Sequence, residues 1–201
     1  MPGRELEFWF DFASTYSYVS ARRIDSLASP SGIRIRWMPF LLGPVFASQG
    51  WDTSPFNVYP AKGRYMWRDV ERLCARHAIE FQRPEVFPQF ALLATRVATA
   101  GAAEPWLPSF CMWIFHAEYG RGRDITGPEV VTEALERLGL DAADWMSRAQ
   151  SPEIKQMLKD RVAQAQDRGI FGAPTFITAD GEMFWGDDRL EQAIEWQLKH
   201  R

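Results

Sequence analysis

The chain opens on a loosely alternating apolar run, Glu5-Leu6-Glu7-Phe8-Trp9-Phe10-Asp11, rich in aromatics as a buried strand is. Ser14 then stands at a helix N-cap position, and Val19, Ile24 and Leu27 fall roughly on one face of the helix that follows. Ser29-Pro30-Ser31-Gly32 stops it. Ile33 to Phe40 shows period two again and predicts a second strand, parallel to the first if the unit is β-α-β. The stretch from Gly43 to Pro60 holds three prolines and a Trp-Asp-Thr-Ser-Pro segment, and reads as a long loop.

From Ala61 to Arg168 the pattern is helical almost throughout. Segments start near Pro60, Pro88, Pro105, Pro128, Asp141 and Pro152, several with the proline in a first-turn position. Ile154, Met157, Leu158, Val162 and Ala165 form one amphipathic stripe. Thr175–Thr178 and Glu182–Trp185 read as strands joined through Asp180-Gly181, a favoured hairpin dipeptide. Leu190 to Lys199 predicts a last helix that packs through Leu190, Ala193, Ile194 and Leu198. This order predicts an α/β domain built discontinuously from residues 1–60 and 169–201, wrapped around an all-helical insertion over residues 61–168.

Composition narrows the function classes. At 201 residues, 46% apolar, with nine Trp and fourteen Phe, the chain can bury a sizeable core. A formal charge of -3 offers no electrostatic reason to expect a nucleic acid or an anionic membrane surface as partner. The start, Met1-Pro2-Gly3-Arg4, shows no apolar leader segment and nothing downstream approaches a membrane span, so the expectation is a cytoplasmic protein. Cys74 and Cys111 are the two cysteines, and neither belongs to a C-x-x-C. Cys74 recurs at helical spacing with Met66, Val70, Leu73 and His77, and Cys111 with Leu107, Phe110, Ile114 and Phe115. Core packing is therefore expected of both, not redox chemistry. The histidines His77, His116 and His200 give no support to a Ser–His–Asp triad, since none falls in a loop near a strand end.

Four segments carry a family resemblance. They are Asp11-Phe12-Ala13-Ser14-Thr15-Tyr16-Ser17-Tyr18, then Pro60-Ala61-Lys62-Gly63-Arg64-Tyr65-Met66 with Asp69 beyond, then Phe171-Gly172-Ala173-Pro174-Thr175-Phe176, then Trp185-Gly186-Asp187-Asp188-Arg189-Leu190. In this order and around a helical block, the chain resembles the DsbA-like branch of the thioredoxin superfamily. Within that branch it is most similar to the 2-hydroxychromene-2-carboxylate isomerases and the kappa-class glutathione transferases. The resemblance implies a thioredoxin-like fold with a large helical insertion, glutathione as cofactor, a small aromatic substrate and a homodimer.

It also implies roles for particular positions. Ser14 would hydrogen-bond and activate the glutathione thiol, with Thr15 and Tyr16 lining the same turn. Ala173, before a cis-Pro174, would offer its backbone to the cysteinyl part. Asp187 and Asp188 would hold the γ-glutamyl amino group beside Arg189, while Lys62 and Asp52 would lie toward the other end of the peptide. Two departures stand out. Ser14-Thr15-Tyr16 replaces the usual Ser-Pro-Tyr, and Asp52 stands where kappa-class members have an asparagine, placing a carboxylate where it would repel those of glutathione.

The chemistry accounts for the serine. A free thiol with a pKa near ~8.5 is only a few per cent thiolate at neutral pH. A hydroxyl donating to the thiolate is a hydrogen bond to a charge, about 1.5–3 kcal/mol. At about 1.4 kcal/mol per pKa unit, that lowers the pKa by roughly one to two units. A helix N-terminus adds about 0.3–1 kcal/mol. A bound thiol then ionises near roughly pH 7 without any basic residue. Each position also has a plain structural reading: Ser14 as a helix cap, Pro174 as a trans proline opening a strand, Asp187-Asp188-Arg189 as the cap of the last helix, Lys62 as a solvated charge. Trp51, Phe56, Tyr59, Tyr65, Trp67, Trp113 and Phe115 either fill the interface between the two parts or line a pocket, and a pocket wall is expected of the Trp51–Tyr59 stretch.

The resulting expectation is a glutathione-dependent isomerase of 2-hydroxychromene-2-carboxylate type compounds, yielding trans-o-hydroxybenzylidenepyruvate, as in naphthalene breakdown. The alternatives are a kappa-like glutathione transferase and a non-catalytic, peptide-binding DsbA relative.

Overall fold

A computed structural model describes residues 5–200, so the reading of Met1 to Arg4 lies outside the described residues. Strand β1 (Glu5–Phe10), helix α1 (Thr15–Ala28) and strand β2 (Arg34–Pro39) form the opening β-α-β unit. Then come α2 (Leu42–Ser48), α3 (Pro55–Val58), α4 (Pro60–Arg76), α5 (Leu92–Ala100), α6 (Leu107–Phe115), α7 (Pro128–Arg137), α8 (Ala142–Ala149) and α9 (Pro152–Asp167). Strands β3 (Thr175–Ile177) and β4 (Met183–Trp185) and helix α10 (Leu190–Lys199) close the chain.

The sheet is mixed, in the order β2-β1-β3-β4. β1 pairs parallel with β2 and antiparallel with β3, and β4 pairs antiparallel with β3. The alternation along β1 sorts its side chains. Leu6, Phe8 and Phe10 join the larger core with Phe176, Phe184 and residues of α1 and α10. Trp9 points the other way, into a second cluster with Met38, Ile177, Leu42 and Val45 of α2, and Val162 and Ala165 of α9. Phe8 lies opposite Phe176 in register, their rings stacked at 5.6 Å. The C-terminal end of β1 and the N-terminal end of β3 therefore meet at one end of the two central strands, where the candidate site is built.

Two sequence expectations need correction here. The stretch read as a loop from Gly43 to Pro60 contains α2 and α3. Leu42 and Val45 are buried one helical turn apart against the Trp9 face, a stripe too short for periodicity to reveal beside Gly43 and Pro44. No helix starts at Pro88 either. The Phe87-Pro88 bond is cis, and buried Gln89 is tied to Ile125 N and Arg123 O, so helix α5 begins only at Leu92.

Candidate active site

Ser14 caps α1 as its sequence position demands: its Oγ accepts from Ser17 N at 3.1 Å. Its own hydroxyl hydrogen goes elsewhere, to the carbonyl of Ala173 at 3.0 Å. The Ala173-Pro174 bond is cis. This one contact joins residues 159 positions apart and brings the first strand-to-helix turn face to face with the proline bend. Ser14 is buried, with 8% of its surface exposed, so the hydroxyl lies just beneath the surface at the helix N-terminus.

Asp11 builds the turn beneath it. Its carboxylate accepts from Ala13 N at 2.9 Å and from Leu42 N at 2.7 Å, and its carbonyl accepts from Ser14 N at 3.0 Å. One buried side chain thus ties the Ser14 turn to the start of α2. Burial pushes the Asp11 carboxyl up to about 6, against the two backbone N–H donors that favour its charge. In the sequence Asp11 stands only as a motif residue, with nothing to assign it this task. A carboxylate between Phe10 and Phe12 in an apolar run was the available signal.

Helix α4 supplies the next wall. Thr15 Oγ1 donates to Met66 Sδ at 3.3 Å, and the Tyr16 hydroxyl donates to Asp69 at 3.0 Å. Arg72 pairs with the same Asp69 at 2.8 Å. Burial, followed by the charge of Asp69, pushes the Tyr16 hydroxyl above the usual tyrosine range, so it stays a donor. Gly63 lets α4 approach α3, because a Cβ there would run into the Phe56 carbonyl. Phe56 in turn lies 6.3 Å from Tyr16, ring to ring.

The remaining predicted residues separate. Lys62 is exposed one turn before Met66, its Nζ over the Tyr59 ring at 4.8 Å. Asp52 is exposed between α2 and α3. Asp187 is buried and engaged: it accepts from Ser20 Oγ at 2.8 Å and from Arg23 at 3.1 Å on each oxygen. Burial raises its carboxyl, partly offset by Ser20 and Arg23. Asp188 is the exposed member of the pair, 73% open at its side chain, with Arg189 at 3.1 Å. Among the described residues Asp52, Lys62, Asp187, Asp188 and Arg189 make no hydrogen bond or ion pair with Ser14, whereas Ala173 is linked directly.

Of the aromatics, Trp67 and Phe115 are core. Trp113 lines a separate cavity of about 550 Å³ with Arg22, Glu80 and His116, two helical turns further along α1. Cys74 and Cys111 are free and buried, and burial pushes the Cys74 thiol up to about 12 and Cys111 well above its usual range, so neither offers a thiolate.

A mixed sheet in this order, with a cis proline facing the first strand-to-helix turn, defines the thioredoxin-fold class. The chain matches the family model of the DSBA-like thioredoxin domain over residues 5–195 and belongs to that family. It is 29% identical to 2-hydroxychromene-2-carboxylate isomerase of Sphingobium xenophagum, over 94% of this chain and 95% of that protein. It is 27% identical to Glutathione S-transferase kappa 1 of Homo sapiens, over 94% of this chain and 88% of that one. The solved structure of a 2-hydroxychromene-2-carboxylate isomerase superposes with a TM-score of 0.86 at 25% identity, covering 97% of this chain and 95% of that one. Among the described residues no helix is long and apolar enough to cross a membrane.

Proposed function

We propose that this protein is a glutathione-dependent isomerase of 2-hydroxychromene-2-carboxylate type aromatic compounds. The observation that carries the reading is the Ser14 Oγ–Ala173 O contact at 3.0 Å, at a helix N-terminus whose turn holds no cysteine. A serine has a single O–H to give. When a thiolate approaches, that hydrogen turns from the Ala173 carbonyl to the sulfur, and the freed carbonyl accepts an N–H of the ligand backbone. The donor and acceptor that satisfy each other in the free protein are the pair that a cysteinyl group needs, so the residues fit glutathione. Glutathione held by Ser14, Ala173 and Asp188 would supply a thiolate nucleophile for reversible addition to the conjugated substrate, which would free a bond to rotate.

The chain's own groups do the rest. The α1 N-terminus and Ser14 hold negative charge at the sulfur. Asp11 keeps the turn in place. Asp188 is the carboxylate open to the γ-glutamyl ammonium, while Asp187, with both oxygens taken, anchors the segment that presents it. Lys62 and Arg189 are the exposed cations for the ligand's carboxylates. The relatives named as isomerases and as glutathione transferases support an enzyme of this kind.

The test is turnover and glutathione calorimetry on wild type and Ser14→Ala. The expected result is catalytic use of glutathione by wild type and a fall in kcat/KM of about 10- to 100-fold in the variant, the loss of one hydrogen bond to a charge. Near wild-type turnover in Ser14→Ala overturns the assignment. Stoichiometric consumption of glutathione selects the transferase chemistry of the kappa relatives instead.

A further inference from the structure

We propose that Arg36, Arg161 and Arg168, on the sheet face opposite α1, form a binding site for a phosphate-type oxyanion. Helix α9 buries Leu158, Val162 and Ala165, and the last two lie against Trp9 and Met38 of the sheet. Arg161 falls on the same stripe, three residues after Leu158 and four before Ala165, so it is a charge at an inward-facing position. Its Nη1 is closed off from solvent and, among the described residues, has no hydrogen-bond partner. Buried donors without an acceptor are rare, and an unpaired buried charge is strongly unfavourable.

The carboxylate of this cluster, Glu7, is already taken. Its Oε2 accepts from Trp9 Nε1 at 2.7 Å and from Arg168 Nη1 at 2.6 Å, and its Oε1 accepts from Arg36 Nη1 at 3.4 Å. The next cross-strand pair, Arg34 with Glu5 at 3.0 Å, is neutral in itself. Three guanidiniums therefore share one carboxylate. Burial, then the charge of Arg36, lower the Arg161 guanidinium from its ordinary value, and Glu7 offsets this only in part. What the cluster lacks is a second anion. Donors from three backbone positions suit an oxyanion with three or four oxygens better than a planar carboxylate with two. Arg36 is 52% and Arg168 31% exposed at the side chain, which leaves the cluster open to a ligand from solvent. The site is separate from the sulfur site, because Glu7 and Trp9 face α9 while Leu6, Phe8 and Phe10 face α1.

The test is calorimetry of inorganic phosphate binding to wild type, Arg161→Met and Arg36→Gln, with acetate as the planar control. The expected result is one phosphate per chain, bound about tenfold more weakly by each variant, and acetate bound about tenfold more weakly than phosphate by wild type. A phosphate monoester, glycerol 3-phosphate, separates the sources. Binding as tight as that of inorganic phosphate supports the site with a phosphorylated metabolite as occupant, and much weaker binding supports it with the free ion. Arg161→Met keeps the side chain's length and removes an unpaired charge. In phosphate-free buffer it should melt no lower than wild type, and added phosphate should raise the melting temperature of wild type alone. Absence of phosphate binding by wild type overturns the site, as does unchanged affinity in Arg161→Met or acetate bound as tightly as phosphate. A lower melting temperature for Arg161→Met in phosphate-free buffer also overturns it, because the guanidinium then has its partner within the fold.

Discussion

Three carboxyl groups within the described residues show how differently one functional group behaves when its surroundings change. Asp188 is open to solvent, Asp11 is buried but accepts two backbone N–H bonds, and Glu118 is buried with neither oxygen hydrogen-bonded. Glu118 lies in a π-helical turn (His116–Gly120) after α6, beside the Tyr119 hydroxyl. Burial pushes its carboxyl well above the ordinary range, so it is held as the neutral acid. A carboxyl whose folded pKa exceeds its unfolded value stabilises the protein below the unfolded pKa, and that stability is lost as pH rises through the folded one. For Asp11, moving from 3.8 to about 6 corresponds to about 3 kcal/mol lost across that window, at ~1.4 kcal/mol per pH unit. Each of these two groups therefore lowers the melting temperature from acidic toward neutral pH, and Glu118→Gln should raise it at neutral pH relative to wild type with little change at the acidic end. An unchanged difference between wild type and Glu118→Gln across that range would contradict the burial of Glu118.

At the scale of elements, Asp187 and Asp188 are adjacent in sequence and opposite in consequence. Asp187 clasps α1 through Ser20 and Arg23 to the segment that opens α10, and Arg23 also bonds Glu191. Asp187→Asn removes the charge facing half-buried Arg23 and leaves Glu191 as its remaining carboxylate, and the expected cost is about 3 kcal/mol, or roughly 6–12 °C in melting temperature. Asp188→Asn touches no buried group. It should leave the melting temperature unchanged and weaken glutathione about tenfold in calorimetry. The reverse pattern would mean that Asp187, despite its internal partners, is the ligand carboxylate. Ser14→Ala belongs here as well, because it removes an N-cap and the contact with the Ala173-Pro174 bend together, and the helix should lose about 0.5–2 kcal/mol by thermal melting.

For the whole molecule, a ligand bridging the Ser14 turn, the cis-proline bend and the Asp188 segment would tie together elements from both ends of the chain. Such a ligand binds only the folded state, so glutathione at about 100 times its Kd should add about 2.7 kcal/mol, seen as roughly 5–10 °C in melting temperature. No rise in wild type would mean that glutathione does not bind. The molecule also shows where pattern reading lost its grip. The alternation of β1, the cap of α1 and the hairpin at Asp180-Gly181 are encoded by neighbours in sequence, and they lie where expected. Helix α2 escaped because its two core contacts are too few to make a period.

What the amino-acid order settled by itself was local: which segments coil or extend, that no cysteine pair is present, and that a serine opens the first helix. These follow from backbone preference, capping and the period of apolar positions, all set within a few residues. Which distant group each polar atom meets was decided only in three dimensions. Ser14 finds Ala173, Asp187 finds Ser20 and Arg23, and Glu118 is buried beside the Tyr119 hydroxyl. The reason is physical: a side chain's donors, charge and acidity depend on what packing leaves within about 3 Å of it, and packing is a property of the whole chain.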